Sequence, residues 1–167
     1  MSEQQAAPEP VYRSLKSLAE SQDAIDDVIA TAHASLRLFD FSLYGRGFNA
    51  PARIERVREF LVAGRAHRLL VALHDTETLE RDCPRLLALL RQFPMSIEIH
   101  RTTGQARRAM DPFIVADDHS VWHQLHHEQP RAIVALHSPP DAVPLAQRFG
   151  EIWELSEPCA LGRVLGL

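Results

Sequence analysis

Lysine is almost absent from this sequence: of its 18 basic residues only Lys16 is one. Nearly all positive charge is therefore guanidinium, which grips carboxylates and phosphates bidentately, although a GC-rich coding bias is the ordinary explanation. A basic excess is absent too. The formal charge is -4 and the isoelectric point near 6.1, which argues against a general nucleic-acid binder and leaves only a local basic patch. Cysteine is scarce: Cys83 and Cys159 lie far apart and match no C-x-x-C or zinc spacing, so neither a disulfide framework nor a zinc site is expected. No apolar run approaches the ~20 residues that cross a bilayer, and Met1 to Pro10 lack the apolar core of a signal segment. These absences point to a protein of the reducing cytoplasm with no use for a membrane.

What is present suits one packed domain. The chain has 167 residues, 46% hydrophobic and 24% charged, close to ordinary globular usage and long enough to bury a real core. Residues 1–12 read as a flexible leader, 13–157 as a single α/β domain, and 158–167 as a poorly patterned tail. Leu15, Leu18, Ile25, Val28, Ile29 and Ala32 recur at helical spacing, as one helix or two in series. Ser35 to Leu43 alternates as a buried strand does. Pro51 opens a helix carried by Ile54, Val57, Phe60 and Leu61, and Gly64 closes it. The continuous run Leu69 to Leu73 suits a strand covered on both faces, hence a parallel sheet. Asp82 is placed to cap a helix through Leu86, Leu87, Leu89 and Leu90, which Pro94 ends before the strand Met95 to His100.

The order is thus β-α-β-α-β, which implies parallel strands and right-handed crossovers. After a loop from Arg101 to Asp111 come three short β-rich segments, Phe113 to Ala116, Ser120 to His126 and Arg131 to His137, which read as a meander. Pro139, Val143, Leu145, Phe149, Ile152 and Trp153 mark a closing helix. The expected fold is α/β: one mixed sheet flanked by helices. The apolar side of the last helix reads as core, with part of it available to a dimer contact.

Across residues 24 to 154 this layout resembles half of a phospholipase D-like unit, in which a βαβαβ half is followed by a strand hairpin, another strand and a packing helix. The strand Leu36 to Tyr44, the helix Ala50 to Gly64 and Phe113-Ile114-Val115-Ala116-Asp117 carry the likeness. That family works through H-x-K-x-x-x-x-D. With Asp117 at its last position, Met110 stands where the nucleophilic histidine belongs and Pro112 where the lysine belongs. Methionine cannot form a phosphohistidine, and proline brings no cation to a transferring phosphoryl group. The downstream G-S-x-N is missing as well, replaced by Val121-Trp122-His123-Gln124-Leu125-His126. The resemblance therefore implies a degenerate half-unit of the uncharacterised bacterial kind, and, because single-half members pair, a homodimer.

Arg101-Thr102-Thr103-Gly104-Gln105-Ala106 fits the R-x-x-G-x-A loop of acetyl-CoA-dependent acetyltransferases, but that loop must open a long helix, and only six residues precede Asp111-Pro112. A helix of three turns after Gly104 would support acetyl transfer; a short turn into a strand would dismiss it. His119, His123, His126 and His127 form a cluster which, on a strand, faces solvent and is too spread to share a metal: His123 and His127 would lie about 13 Å apart. Asp117 and Asp118 read as turn formers. No G-x-S-x-G elbow or activated cysteine is present. No metal or cofactor is expected.

The best candidate site is the carboxyl edge of the parallel strands, where open α/β sheets bind ligands. It brings together Tyr44, Arg46, Asn49, His74, Asp75, Arg101, Arg107 and Arg108, with Gly45 and Gly47 free to let backbone amides approach an anion. The leading expectation is a non-catalytic binding or assembly module for a phosphate-bearing ligand or a protein partner. The alternative is a divergent phosphoryl-transfer enzyme using His74 or a hairpin histidine.

Overall fold

The computed structural model describes residues 6–161; residues 1–5 of the expected leader and 162–167 of the expected tail lie outside it. In chain order the elements are β1 (Val11–Leu15), α1 (Leu18–Thr31), β2 (Ser35–Asp40), α2 (Pro51–Val62), β3 (Arg68–Leu73), α3 (Leu79–Asp82), α4 (Pro84–Gln92), β4 (Ile97–Thr102), a 3-10 turn (Gly104–Arg108), β5 (Phe113–Ala116), β6 (Ser120–Gln124), β7 (Ala132–Leu136), α5 (Pro139–Glu154) and β8 (Ser156–Pro158). The eight strands form one sheet in the order β1-β7-β6-β5-β2-β3-β4-β8. β2, β3 and β4 run parallel, and every other pairing is antiparallel. This is the mixed, helix-flanked sheet that the sequence pattern implies.

The period of two along each strand sorts the core into two layers. Leu36 and Leu38 of β2, Leu69, Val71 and Leu73 of β3, and Trp122 of β6 pack on the side of α1, α2 and α4. Phe39, Ala72, Phe113, Val115 and Val121 face α5. Both faces of β2 and β3 are thus covered, which is why their sequences are nearly continuously apolar.

The chain departs from the sequence expectation at four places. Val11–Leu15 is a strand paired with β7, so the domain starts inside the expected leader and the first helix begins only at Leu18, capped by Ser17. The period joining Leu15 to Leu18 is accidental. Asp82 ends the single turn α3 instead of capping a helix; α4 starts at Pro84, at its N1 position. Arg101 and Thr102 belong to β4, so the loop starts later than expected. Ser156–Pro158 pairs antiparallel with His100–Thr102 of β4, and Cys159 N–H donates to the Ile99 carbonyl at 3.0 Å, carrying the fold into the expected tail.

After Gly104 the chain makes a five-residue 3-10 turn and then extends into β5. The long helix needed to hold a pyrophosphate is not formed there, which dismisses the acetyl-CoA reading. No helix among the described residues is long and apolar enough to cross a membrane.

Candidate functional site

Parallel β2, β3 and β4 end at Asp40, Leu73 and Thr102, and the segments that follow them share one edge of the sheet. Antiparallel β5 starts and β6 ends at the same edge, because Phe39 pairs with Phe113 and Phe113 with His123. Met110 and Pro112 therefore lie there. The Met110 carbonyl accepts from His127 N–H at 2.9 Å, and the Pro112 carbonyl from Gln124 N–H at 2.8 Å.

Two of the expected ligand-binding residues are buried and already engaged. Arg46 donates through Nε and Nη2 to the carboxylate of Asp40, and its guanidinium lies 4.9 Å from the Trp122 ring centroid. Burial pushes the Asp40 pKa above its ordinary value even though the Arg46 charge and hydrogen bond oppose that rise. His74 is also buried: one ring nitrogen meets the Ala109 carbonyl at 2.6 Å and the other the Thr102 hydroxyl. Since a carbonyl only accepts, Nε2 carries the proton and neutral Nδ1 accepts from Thr102. Burial first, and the nearby Arg107 charge among the rest, lower the His74 pKa despite the Ala109 bond that favours protonation.

The other expected residues have different roles. Asn49 Oδ1 accepts from Arg85 N–H at 3.0 Å and its carbonyl accepts from Arg85 Nη1, so it fastens the start of α4. Asp75 Oδ1 closes a local turn by accepting from Glu77 N–H at 2.9 Å. Arg101, Arg107 and Arg108 are exposed, and Tyr44 projects with 75% of its surface accessible. Gly47, at φ 82°, approaches protein and not an anion: a Cβ there would sit 2.6 Å from Gln22 Oε1 and 2.8 Å from Arg53 Nη1. Gly45, at φ 73°, has open space beside it.

A cavity of about 630 Å³ opens at this edge between Leu18 at the head of α1, the Tyr44–Arg46 loop and the hairpin holding Gln124, His127 and Pro130. Of the eight expected residues it gathers Tyr44 and Arg46; His74, Asp75, Arg101 and Arg107 do not line it. Sequence reasoning missed Asp40, Gln124 and Phe41. Asp40 was detectable as a charge closing an otherwise apolar buried strand, six residues before an arginine.

The histidines are not simply solvent-facing. His123 Nε2 meets Asp111 Oδ2 at 2.7 Å, and Arg148 of α5 grips the same carboxylate through both its terminal nitrogens. Burial would raise the Asp111 pKa, but those hydrogen bonds hold it far below the ordinary carboxylate value. His127 stacks on Phe41, ring centroids 5.0 Å apart. Asp117 reaches beyond its own turn: its carboxylate accepts from the backbone N–H groups of His33, Ala34 and Ser35 at 2.7 to 2.9 Å. Among the described residues no group of three or more His, Cys, Asp or Glu side chains is placed to hold a metal ion.

The profile of a family described as a domain of unknown function (DUF7931) matches residues 17–165. No curated protein matches the chain. Among solved structures, TrmBL2, described as an archaeal chromatin protein with a novel mode of DNA binding, is 17% identical with a TM-score of 0.63, over 89% of this chain and 53% of that one, so the chain spans about half of TrmBL2. Nuc, a phospholipase D family member from Salmonella typhimurium, is 14% identical with a TM-score of 0.62, over 90% of this chain and 99% of that one. NucT from Helicobacter pylori is 11% identical with a TM-score of 0.57, over 90% and 100%. These likenesses establish a phospholipase D-like fold.

Proposed function

The chain belongs to this family of unknown function, and from that premise we propose that it is a non-catalytic phospholipase D-like domain serving as a binding and assembly module. One observation carries the reading. At the edge where phospholipase D-like chemistry would be performed, the chain places Met110 and Pro112, and the buried cation and imidazole beside them are held by Asp40, Thr102 and the Ala109 carbonyl. A nucleophile needs a free lone pair aimed at substrate and a base to activate it. In its neutral form His74 offers neither, since both ring nitrogens are bonded within the protein.

Two features of the same edge support binding. Arg101, Arg107 and Arg108 remain exposed and suit a phosphate-bearing ligand. Leu18 and Tyr44, which line the cavity, and Phe41, Met110 and Leu125 at the same edge are exposed apolar side chains, which suits a protein partner, with a second copy of this chain the one the resemblance implies. A cytoplasmic setting belongs to this reading, supported by two free cysteines of which Cys83 is buried.

Incubation with bis(p-nitrophenyl) phosphate tests the non-catalytic assignment. No release of nitrophenol above buffer is expected, with or without divalent metal. Turnover that disappears in His74→Ala would instead establish a divergent phosphoryl-transfer enzyme.

A further inference from the structure

The edge opposite the cavity, where β3 and β4 begin, carries a surface of its own. Leu69 pairs with Ile97, and Leu69 N–H donates to the Ser96 carbonyl at 2.8 Å, so the turn after α2 and the turn after α4 lie side by side. Arg58 donates to the side chain of Gln92, which ties α2 to the end of α4. At this corner Met95 is 81% exposed, and Val62, one helical turn beyond Arg58, is 67% exposed. Among the described residues Met95 is the most exposed large hydrophobic side chain and Val62 the third. Taken singly, such side chains are ordinary; here two of the most exposed share one corner.

Guanidinium groups surround them. Arg58, Arg65, Arg68 and Arg91 stand there against Glu55 and Glu59, a local excess of positive charge in a chain whose net charge is -4. Glu98 points to the other face of the sheet, where it meets His100. Arg58 holds Glu55 at 3.3 Å, and Arg68 donates to the carbonyls of Arg65 and His67. Arg65 and Arg91 are exposed, and among the described residues neither guanidinium meets a carboxylate. Apolar side chains raised on turns beside free arginines match a lipid interface, where the apolar tips enter the acyl boundary and the long basic side chains reach the phosphates. An acidic protein would satisfy the arginines but would also have to supply a pocket for Met95.

We propose that this corner docks the protein on an anionic bilayer surface, with Met95 and Val62 entering the headgroup region and Arg65 and Arg91 pairing with lipid phosphates. No helix among the described residues is fit to span a bilayer, and interfacial docking needs none. Composition and hydropathy give no sign of it, because a corner assembled from two separate turns leaves no run in the sequence. The carboxyl edge, at the other end of the parallel strands, stays free for its own partner, and docking does not depend on whether that edge is catalytic.

Co-sedimentation of the full chain with vesicles of phosphatidylcholine alone, and of phosphatidylcholine mixed two to one with phosphatidylglycerol, tests the proposal. Binding to the anionic vesicles only is expected, and it should weaken as salt rises. Met95→Asp with Val62→Asp should lower the partition coefficient by about tenfold or more without moving the melting temperature, because both side chains are exposed. Arg65→Glu should weaken binding by about fivefold, whereas Arg131→Glu, an equal change of charge near the opposite edge, should leave it unchanged. Equal binding to both compositions overturns the proposal. So does an equal loss in Arg131→Glu and Arg65→Glu, which would mean attraction by overall charge with no docking face. No binding to either vesicle also overturns it and leaves the corner to an acidic protein.

Discussion

Arg46 and Asp40 form the pair on which the edge is built, six residues apart and both nearly buried. The carboxylate closes β2, and the guanidinium folds back from the loop over Trp122, so the pair ties the loop to the sheet. Taking two charges out of water is costly, and the raised Asp40 pKa is the sign of that cost. Removing one partner should therefore hurt more than removing both. Asp40→Asn is expected to destabilise the fold by about 3–5 kcal/mol by leaving Arg46 buried and unpaired, whereas Asp40→Asn with Arg46→Met should recover most of the loss. Urea denaturation of the two variants checks this: a double variant as unstable as the single one would show that the loop depends on packing and not on the charge pair.

At the scale of elements, Asp117 is the chief cross-link. From the β5–β6 turn, at φ 52°, it binds the three backbone N–H groups that lead from α1 into β2. Burial alone would raise its pKa, but those bonds leave it lowered from 3.8. A carboxylate with a depressed folded pKa stabilises fully above its unfolded value and loses that contribution as pH falls toward the folded one. The link is thus intact at neutral pH and fades below about 3.8. Asp117→Asn tolerates the left-handed backbone but should cost about 1–3 kcal/mol at neutral pH. It should also flatten the decline of stability between pH 4 and 2, as read from thermal melts across that range. Asp111 titrates in the same direction in both proteins, so the difference between them isolates Asp117. A decline as steep in the variant as in the parent would remove this role.

The same scale shows what was legible in the sequence. β2, β3 and α2 announce themselves because buried parallel strands and Pro-initiated helices leave strong local patterns, and from them the carboxyl edge and its loops follow. β1 does not, because four of its five residues are exposed and only its pairing with β7 makes it a strand. At the edge, Tyr44 and Arg46 line the cavity. That Asp40 would neutralise Arg46, that Asn49 would fasten α4 and that Gln124 would share a cavity with both loops depend on contacts between distant segments, which no local period encodes.

For the molecule as a whole, the question is where apolar surface remains after folding. α1, α2 and α4 cover one face of the sheet and α5 part of the other. Among the described residues eleven large hydrophobic side chains stay exposed, and five of them, Leu18, Phe41, Tyr44, Met110 and Leu125, gather at the carboxyl edge. Such clustering marks an interaction surface more than a random scatter does. A self-association driven by this surface should withstand salt, since apolar burial is not screened, and should fail when charge is placed at its centre. Light scattering after size exclusion is expected to give a dimer mass at both 0.1 M and 1 M salt. Tyr44→Asp with Leu125→Asp should give a monomer with unchanged secondary structure, because both side chains are exposed and spend nothing on the core. Dissociation by salt alone would shift the contact to the guanidinium groups of Arg101, Arg107 and Arg108. A monomer at every concentration would leave the edge to a small ligand or a different protein.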